Sequence, residues 1–133
     1  MKQMNRILFL ILYFISSTMI AQKPDTISII GVGDIMLGTA YPLPKYLPPN
    51  NDCSPLLEEV KPILRDADVT FGNLEGCFLN SGPTTKNCKD TLKCYAFRMP
   101  DKYVNCLVDA GFTVMSLANN HSGDFGMKAR KNT

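Results

Sequence analysis

Apolar residues along the chain fall into two arrangements. Residues 26–33, 68–72 and 112–118 form short runs rich in β-branched or aromatic side chains, and the first is almost wholly apolar. Such runs read as parallel strands, the first buried on both faces. Between them, apolar positions recur at helical spacing: Leu56, Leu57, Val60, Ile63 and Leu64 within 56–67, then Tyr103, Cys106, Leu107 and Ala110 after Pro100. Ser54 reads as an N-cap with Pro55 at the first helical position, Pro62 predicts a kink, and Gly111 predicts a C-terminal stop. Residues 39–53, with Pro42, Pro44, Pro48, Pro49 and paired asparagines, predict an irregular loop, as do residues 77–94. The order β-α-β-α-β implies an α/β fold with a parallel sheet and right-handed crossovers.

All three strands then end at one edge, where α/β sheets take their ligands. That edge collects Asp34 from the first strand, Asn73 and Glu75 from the second, and Asn119, Asn120, His121 and Asp124 from the third. Each has an ordinary structural explanation alone: an Asx-type turn for Asp34, a solvated carboxylate for Glu75, a hydrogen-bonded structural role for His121. Successive strands ending in carboxylate and glycine favour a shared polar site. Carboxylates, carboxamide oxygens and an imidazole suit a divalent ion such as Mn, Fe or Zn. One or two such ions would polarise a phosphoryl or carbonyl oxygen and generate hydroxide near neutral pH, with His121 as ligand or acid. Ser122 adjoins His121 without a nucleophile elbow, and no Walker loop or dinucleotide fingerprint is present.

The first residues change where this chemistry is expected. Lys2 and Arg6 precede an apolar run at 7–15 and small residues near Ala21, the pattern of an export signal over residues 1–21. An uncleaved membrane anchor is the alternative. Loss of Lys2 and Arg6 lowers the formal charge from +2 to zero. A neutral chain without a basic, aromatic-interleaved cluster offers nothing for nucleic acid. Lys128, Arg130 and Lys131 read as a solvated helix face. Five cysteines in an exported chain predict disulfides. Cys53, Cys77, Cys88 and Cys94 fall in loops, with three pairings open, whereas Cys106 falls on a helix; one or two loop staples and a buried thiol are expected. No C-x-x-C spacing points to a zinc-thiolate site.

Three motifs carry a family resemblance: Gly33-Asp34-Ile35-Met36-Leu37-Gly38, Asn73-Leu74-Glu75-Gly76 and Ala118-Asn119-Asn120-His121-Ser122-Gly123-Asp124-Phe125-Gly126. Together with Phe97-Arg98-Met99-Pro100 they resemble the bacterial capsule-synthesis family of the CapA, poly-γ-glutamate type, itself similar in fold to calcineurin-like metallophosphoesterases. The resemblance implies the N-terminal part of an α/β metallophosphoesterase-type sandwich over residues 22–133, continued beyond Thr133 in a longer protein. It implies Asp34, Glu75 and Asn120 as metal ligands and His121 as the acid assisting a leaving group. Asn73, Asn119 and Asp124 are secondary candidates. Met36 stands where phosphoesterases often carry a second metal-binding histidine, a departure from their pattern. The expected partners are a cell-surface polymer, poly-γ-glutamate or another capsule component, and a membrane-bound polymer synthase. The expected location is periplasmic, cell-surface or secreted. The alternative to a hydrolase is a non-catalytic scaffold that anchors the polymer.

Overall fold

A computed structural model describes residues 26–38 and 44–133. The export signal, residues 1–21, and Pro42 lie outside the described residues. Strands β1 (Ile29–Ile35), β2 (Val69–Leu74) and β5 (Val114–Ser116) form a parallel sheet in the order β1-β2-β5. Between β2 and β5, β3 (Cys77–Phe78) pairs in parallel with β4 (Arg98–Met99). Strand β3 lies at the start of the predicted loop 77–94, and β4 lies just past its end. Among the described residues no helix is long and apolar enough to cross a membrane.

The first helical segment is broken more sharply than a kink. Helix α1 (Ser54–Leu57) passes into a 3-10 turn at Glu58–Val60 before α2 (Lys61–Leu64) restarts. Pro62 accounts for this: its ring opposes the carbonyl four residues back and it donates no hydrogen bond, so it suits the first turn of a new helix. Ser54 is not the N-cap. Instead the Asp52 carboxylate accepts from the Ser54 N–H at 3.0 Å. Helix α3 (Val104–Ala110) follows a 3-10 turn at Asp101–Tyr103; the turn buries Tyr103 and the helix buries Cys106, Leu107 and Ala110, the face that the spacing predicts. Gly111 ends it at φ +104°, a left-handed conformation that glycine adopts without strain.

Helices α1 and α2 both pack on α3, and together they enclose Ile35, Leu74, Met99 and Leu107 in the main core. The other face of the sheet is uncovered, with Ile29 69%, Phe71 39% and Val114 49% exposed. The expectation that β1 is buried on both faces is therefore wrong. Crossovers of one hand between consecutive neighbours place their helices on the same side of a sheet. A smaller cluster of Cys77, Leu79, Ala96, Phe125 and Ala129 joins β3 to α4 (Gly126–Asn132).

The cysteines pair as Cys53–Cys106 and Cys88–Cys94. One staple, Cys88–Cys94, joins two of the four loop cysteines as expected, whereas the other takes the helical Cys106 as its partner. Helix α3 turns Cys106 toward the loop before α1, and the free thiol is Cys77. Burial pushes the Cys77 thiol up to about 11, with Asp124 adding to the effect. It therefore stays protonated and weakly nucleophilic at neutral pH.

Candidate functional site

Parallel register brings the strand ends level. Asp34 pairs with Asn73, and Asn73 with Ser116, across β1, β2 and β5. An irregularity between Gly31 and Asp34 shifts the register just before the carboxylate, which re-aims residues at a strand end. The Asn73 amino group donates to Asp34 Oδ1 at 2.7 Å and to Glu75 Oε2 at 2.9 Å. Asn119 Nδ2 donates to Asn73 Oδ1 at 3.1 Å and to the Leu74 carbonyl at 2.8 Å. Its own Oδ1 accepts the His121 N–H at 3.0 Å. Two carboxamides thus connect both carboxylates to the histidine loop.

His121 and Asp124 sit deeper. Asp124 is 2% exposed and receives three donors: the Phe97 N–H at 2.9 Å, Lys86 Nζ at 3.0 Å, and His121 Nδ1 at 2.7 Å. A carboxylate only accepts, so this last contact assigns the hydrogen to Nδ1. Lys86 Nζ lies 3.2 Å from the same ring nitrogen, and its charge is balanced by Asp124. Phe97 stacks on the imidazole at a centroid distance of 4.1 Å. Nε2 then faces Glu75 Oε1 at 3.5 Å. Two acceptors in that position need a proton or a cation between them.

Gly76 links Glu75 to β3 at φ +114°, and a Cβ there would lie 2.9 Å from the Phe97 carbonyl oxygen. Gly76→Ala should therefore destabilise the fold by about 2–3 kcal/mol, combining backbone strain with a clash against main chain. Urea unfolding tests this, and a loss under 0.5 kcal/mol would disprove the close approach.

The edge joins Asp34, Asn73, Glu75, Asn119 and His121 directly, with Asp124 behind the ring. Asn120 stands apart: it is exposed, in a turn, and no side-chain hydrogen bond engages it among the described residues. Among the described residues no three His, Cys, Asp or Glu side chains are grouped so as to hold a metal ion. The donor chemistry nevertheless suits a divalent cation, because the Asp34 and Glu75 oxygens converge on one amino group and Nε2 faces Glu75. Lys86 was not among the sequence candidates. A lysine in a polar loop carries no signal of its own, and only the return of residues 84–86 against Asp124 reveals it; there Thr85 N–H donates to the Asp124 carbonyl at 2.8 Å. Phe97 had a signal, being part of a motif in the family's pattern.

Fold and edge together define a mixed α/β protein with polar residues gathered at the carboxyl end of a parallel sheet. The pattern of the family described as bacterial capsule synthesis protein PGA_cap matches residues 28–133. The chain is 32% identical over 109 residues to the PGA biosynthesis protein CapA of Bacillus subtilis (strain 168), covering 82% of this chain and 27% of that protein. It is 33% identical over 102 residues to the capsule biosynthesis protein CapA of Bacillus anthracis, covering 77% of this chain and 24% of that one. An uncharacterised protein of Sinorhizobium fredii (strain NBRC 101917 / NGR234) is 29% identical over 126 residues, covering 91% of this chain and 24% of its own length. The chain belongs to the bacterial capsule synthesis family, and it spans about a quarter of the length of these relatives.

Proposed function

We propose that this chain is part of an exported protein of capsule or poly-γ-glutamate biosynthesis whose strand-end edge is a metal-dependent hydrolase-like site. The observation that carries the reading is the convergence of Asp34, Glu75 and His121 Nε2 through Asn73 and Asn119. A divalent ion of the Mn, Fe or Zn type, held by Asp34 and Glu75 with carboxamide oxygen from Asn73 or Asn120, would supply a Lewis acid there. The protein's own contribution is proton handling. Asp124 holds the Nδ1 hydrogen, so Nε2 points to the edge, where the imidazolium form would pass its Nε2 proton to the leaving group of a phosphoester or amide and return to the neutral ring. Phe97 covers one face of the ring and shields it from water. The polymer and a membrane-bound synthase are the partners of this reading.

Metal content tests it. The chain lacking residues 1–21 should bind about one or two equivalents of Mn, Fe or Zn and lose them on Asp34→Ala while remaining folded. A folded wild-type chain that takes up no metal would sink the hydrolase mechanism. One observation favours a second reading: the two carboxylates are already bridged by an amide, and the described residues hold no three-ligand acidic group. On that reading the edge is a non-catalytic scaffold for the exopolymer. Polymer binding that survives both chelation and Asp34→Ala would establish it.

A further inference from the structure

The Cys88–Cys94 disulfide closes a loop with a sequence separation of 6. Within that loop Asp90 Oδ1 accepts the Leu92 N–H at 2.9 Å, and the Lys93 N–H donates to the Asp90 carbonyl at 3.2 Å. Leu92 is 90% exposed. Among the described residues, no hydrogen bond or ion pair ties residues 87–95 to the rest of the protein. The bond therefore secures no core, and its effect falls on the two chain segments that leave the loop.

Both segments lead to the same place. Lys86 stands two positions before Cys88, and its Nζ lies 3.0 Å from Asp124 Oδ1 and 3.2 Å from His121 Nδ1. Phe97 stands three positions after Cys94, gives its N–H to Asp124 Oδ2 and stacks on the His121 ring. The two sides are not equally secured. Phe97 runs directly into β4, whereas residues 82–88 belong to no helix or strand. Thr84 Oγ1 and the Thr85 N–H hold that arm by donating to the Asp124 carbonyl, at 2.7 and 2.8 Å, and Arg98 donates to the Gly82 carbonyl at 2.6 Å. The disulfide is its covalent link to the β4 side.

This is also the disulfide within reach of a partner thiol. Cys53 and Cys106 are 3% and 9% exposed, whereas Cys88 and Cys94 are both partly exposed, and thiol exchange needs access to a sulfur. Cys77, buried and held protonated, offers no competing thiolate.

We propose that the Cys88–Cys94 disulfide is a redox-operated clamp: closed, it holds Lys86 against the His121–Asp124 pair, and reduced, it lets Lys86 go. Opening takes two electrons and two protons from a dithiol reductant, which leaves as its own disulfide, and yields thiols at Cys88 and Cys94; a disulfide-bearing oxidant reverses the exchange. The consequence for function rests on the reading of the chain as exported with a site at this edge. On that reading Lys86 is set against the pair only once the chain reaches an oxidising compartment.

His121 is the single histidine of the chain, so nitrogen-15 labelling of histidine gives ring signals from it alone. Spectra of the full chain at one fixed pH, oxidised and after graded dithiothreitol, read the clamp. Thiol labelling should find Cys88 and Cys94 released before Cys53 and Cys106. The ring signals should then move, and the Thr85 amide should exchange about tenfold faster or more, with a smaller change in the α3 amides. Reoxidation should restore both. Cys88→Ser/Cys94→Ser should match the reduced state. Lys86→Met should move the ring signals without reduction and leave reduction no further effect on them. Ring signals unmoved by opening, a shift on reduction that persists in Lys86→Met, or earlier release of Cys53 and Cys106 would each overturn the clamp. Equal acceleration of Thr85 and α3 amides, or loss of the α3 signals on opening, would overturn it too, since the bond would then be a structural staple. No metal or substrate enters the measurement, so failed metal uptake would remove the hydrolase reading and leave the clamp standing.

Discussion

Asp124→Ala is expected to destabilise the chain by about 3–5 kcal/mol, the range for removing one partner from a buried charged cluster. The carboxylate is 2% exposed and takes hydrogens from the Phe97 main chain, the His121 ring and the Lys86 ammonium. Its removal leaves an N–H, a ring nitrogen and a cation without their acceptor, inside a region that water does not easily reach. Lys86→Met should cost about 1 kcal/mol, because that side chain is 26% exposed and keeps access to solvent. Urea unfolding reads both as changes in midpoint at constant slope. An Asp124→Ala loss below 1 kcal/mol would mean that the network contributes nothing net. The same substitution should release the imidazole, so His121 would no longer present Nε2 to Glu75.

Loss of the Cys53–Cys106 disulfide is expected to lower stability by about 4 kcal/mol, whereas loss of Cys88–Cys94 should cost about 2 kcal/mol. The ordering follows from loop length, since the bonds close sequence separations of 53 and 6 residues. The longer one ties the loop before α1 to α3, and so holds together the helices that cover one face of the sheet. Paired Cys→Ser variants, compared by urea unfolding without reductant, check the ordering. A larger loss from Cys88–Cys94 would show that the short loop is stabilised by contacts with the site rather than by restricting the unfolded chain.

The strand ends were readable because their signal is local. An apolar run that stops at Asp34, at Asn73 and at Asn119 marks a carboxyl edge whatever covers the sheet. Helix α3 and the turn before it were readable for the same reason, with Tyr103, Cys106, Leu107 and Ala110 at helical spacing and a glycine behind them. The β3–β4 pair was not: two residues per strand are too short for an alternation to register. Nor was the disulfide partner of Cys53, since a helical cysteine and a loop cysteine 53 positions apart share no local pattern.

By itself, then, the sequence determined the α/β order, the parallel strands, the polar residues at their ends and the family, because each rests on periodicity or on motifs within a few residues. Only the tertiary structure decided which of those residues meet. It joined Asp34, Asn73, Glu75, Asn119 and His121 by hydrogen bonds and left Asn120 in solvent. It brought Lys86 and Phe97 to Asp124, and Arg130 to Gly123. It also left Ile29, Phe71 and Val114 on an uncovered face. Contacts of that kind depend on how segments far apart in the chain pack, and no residue's type or neighbours encode them alone.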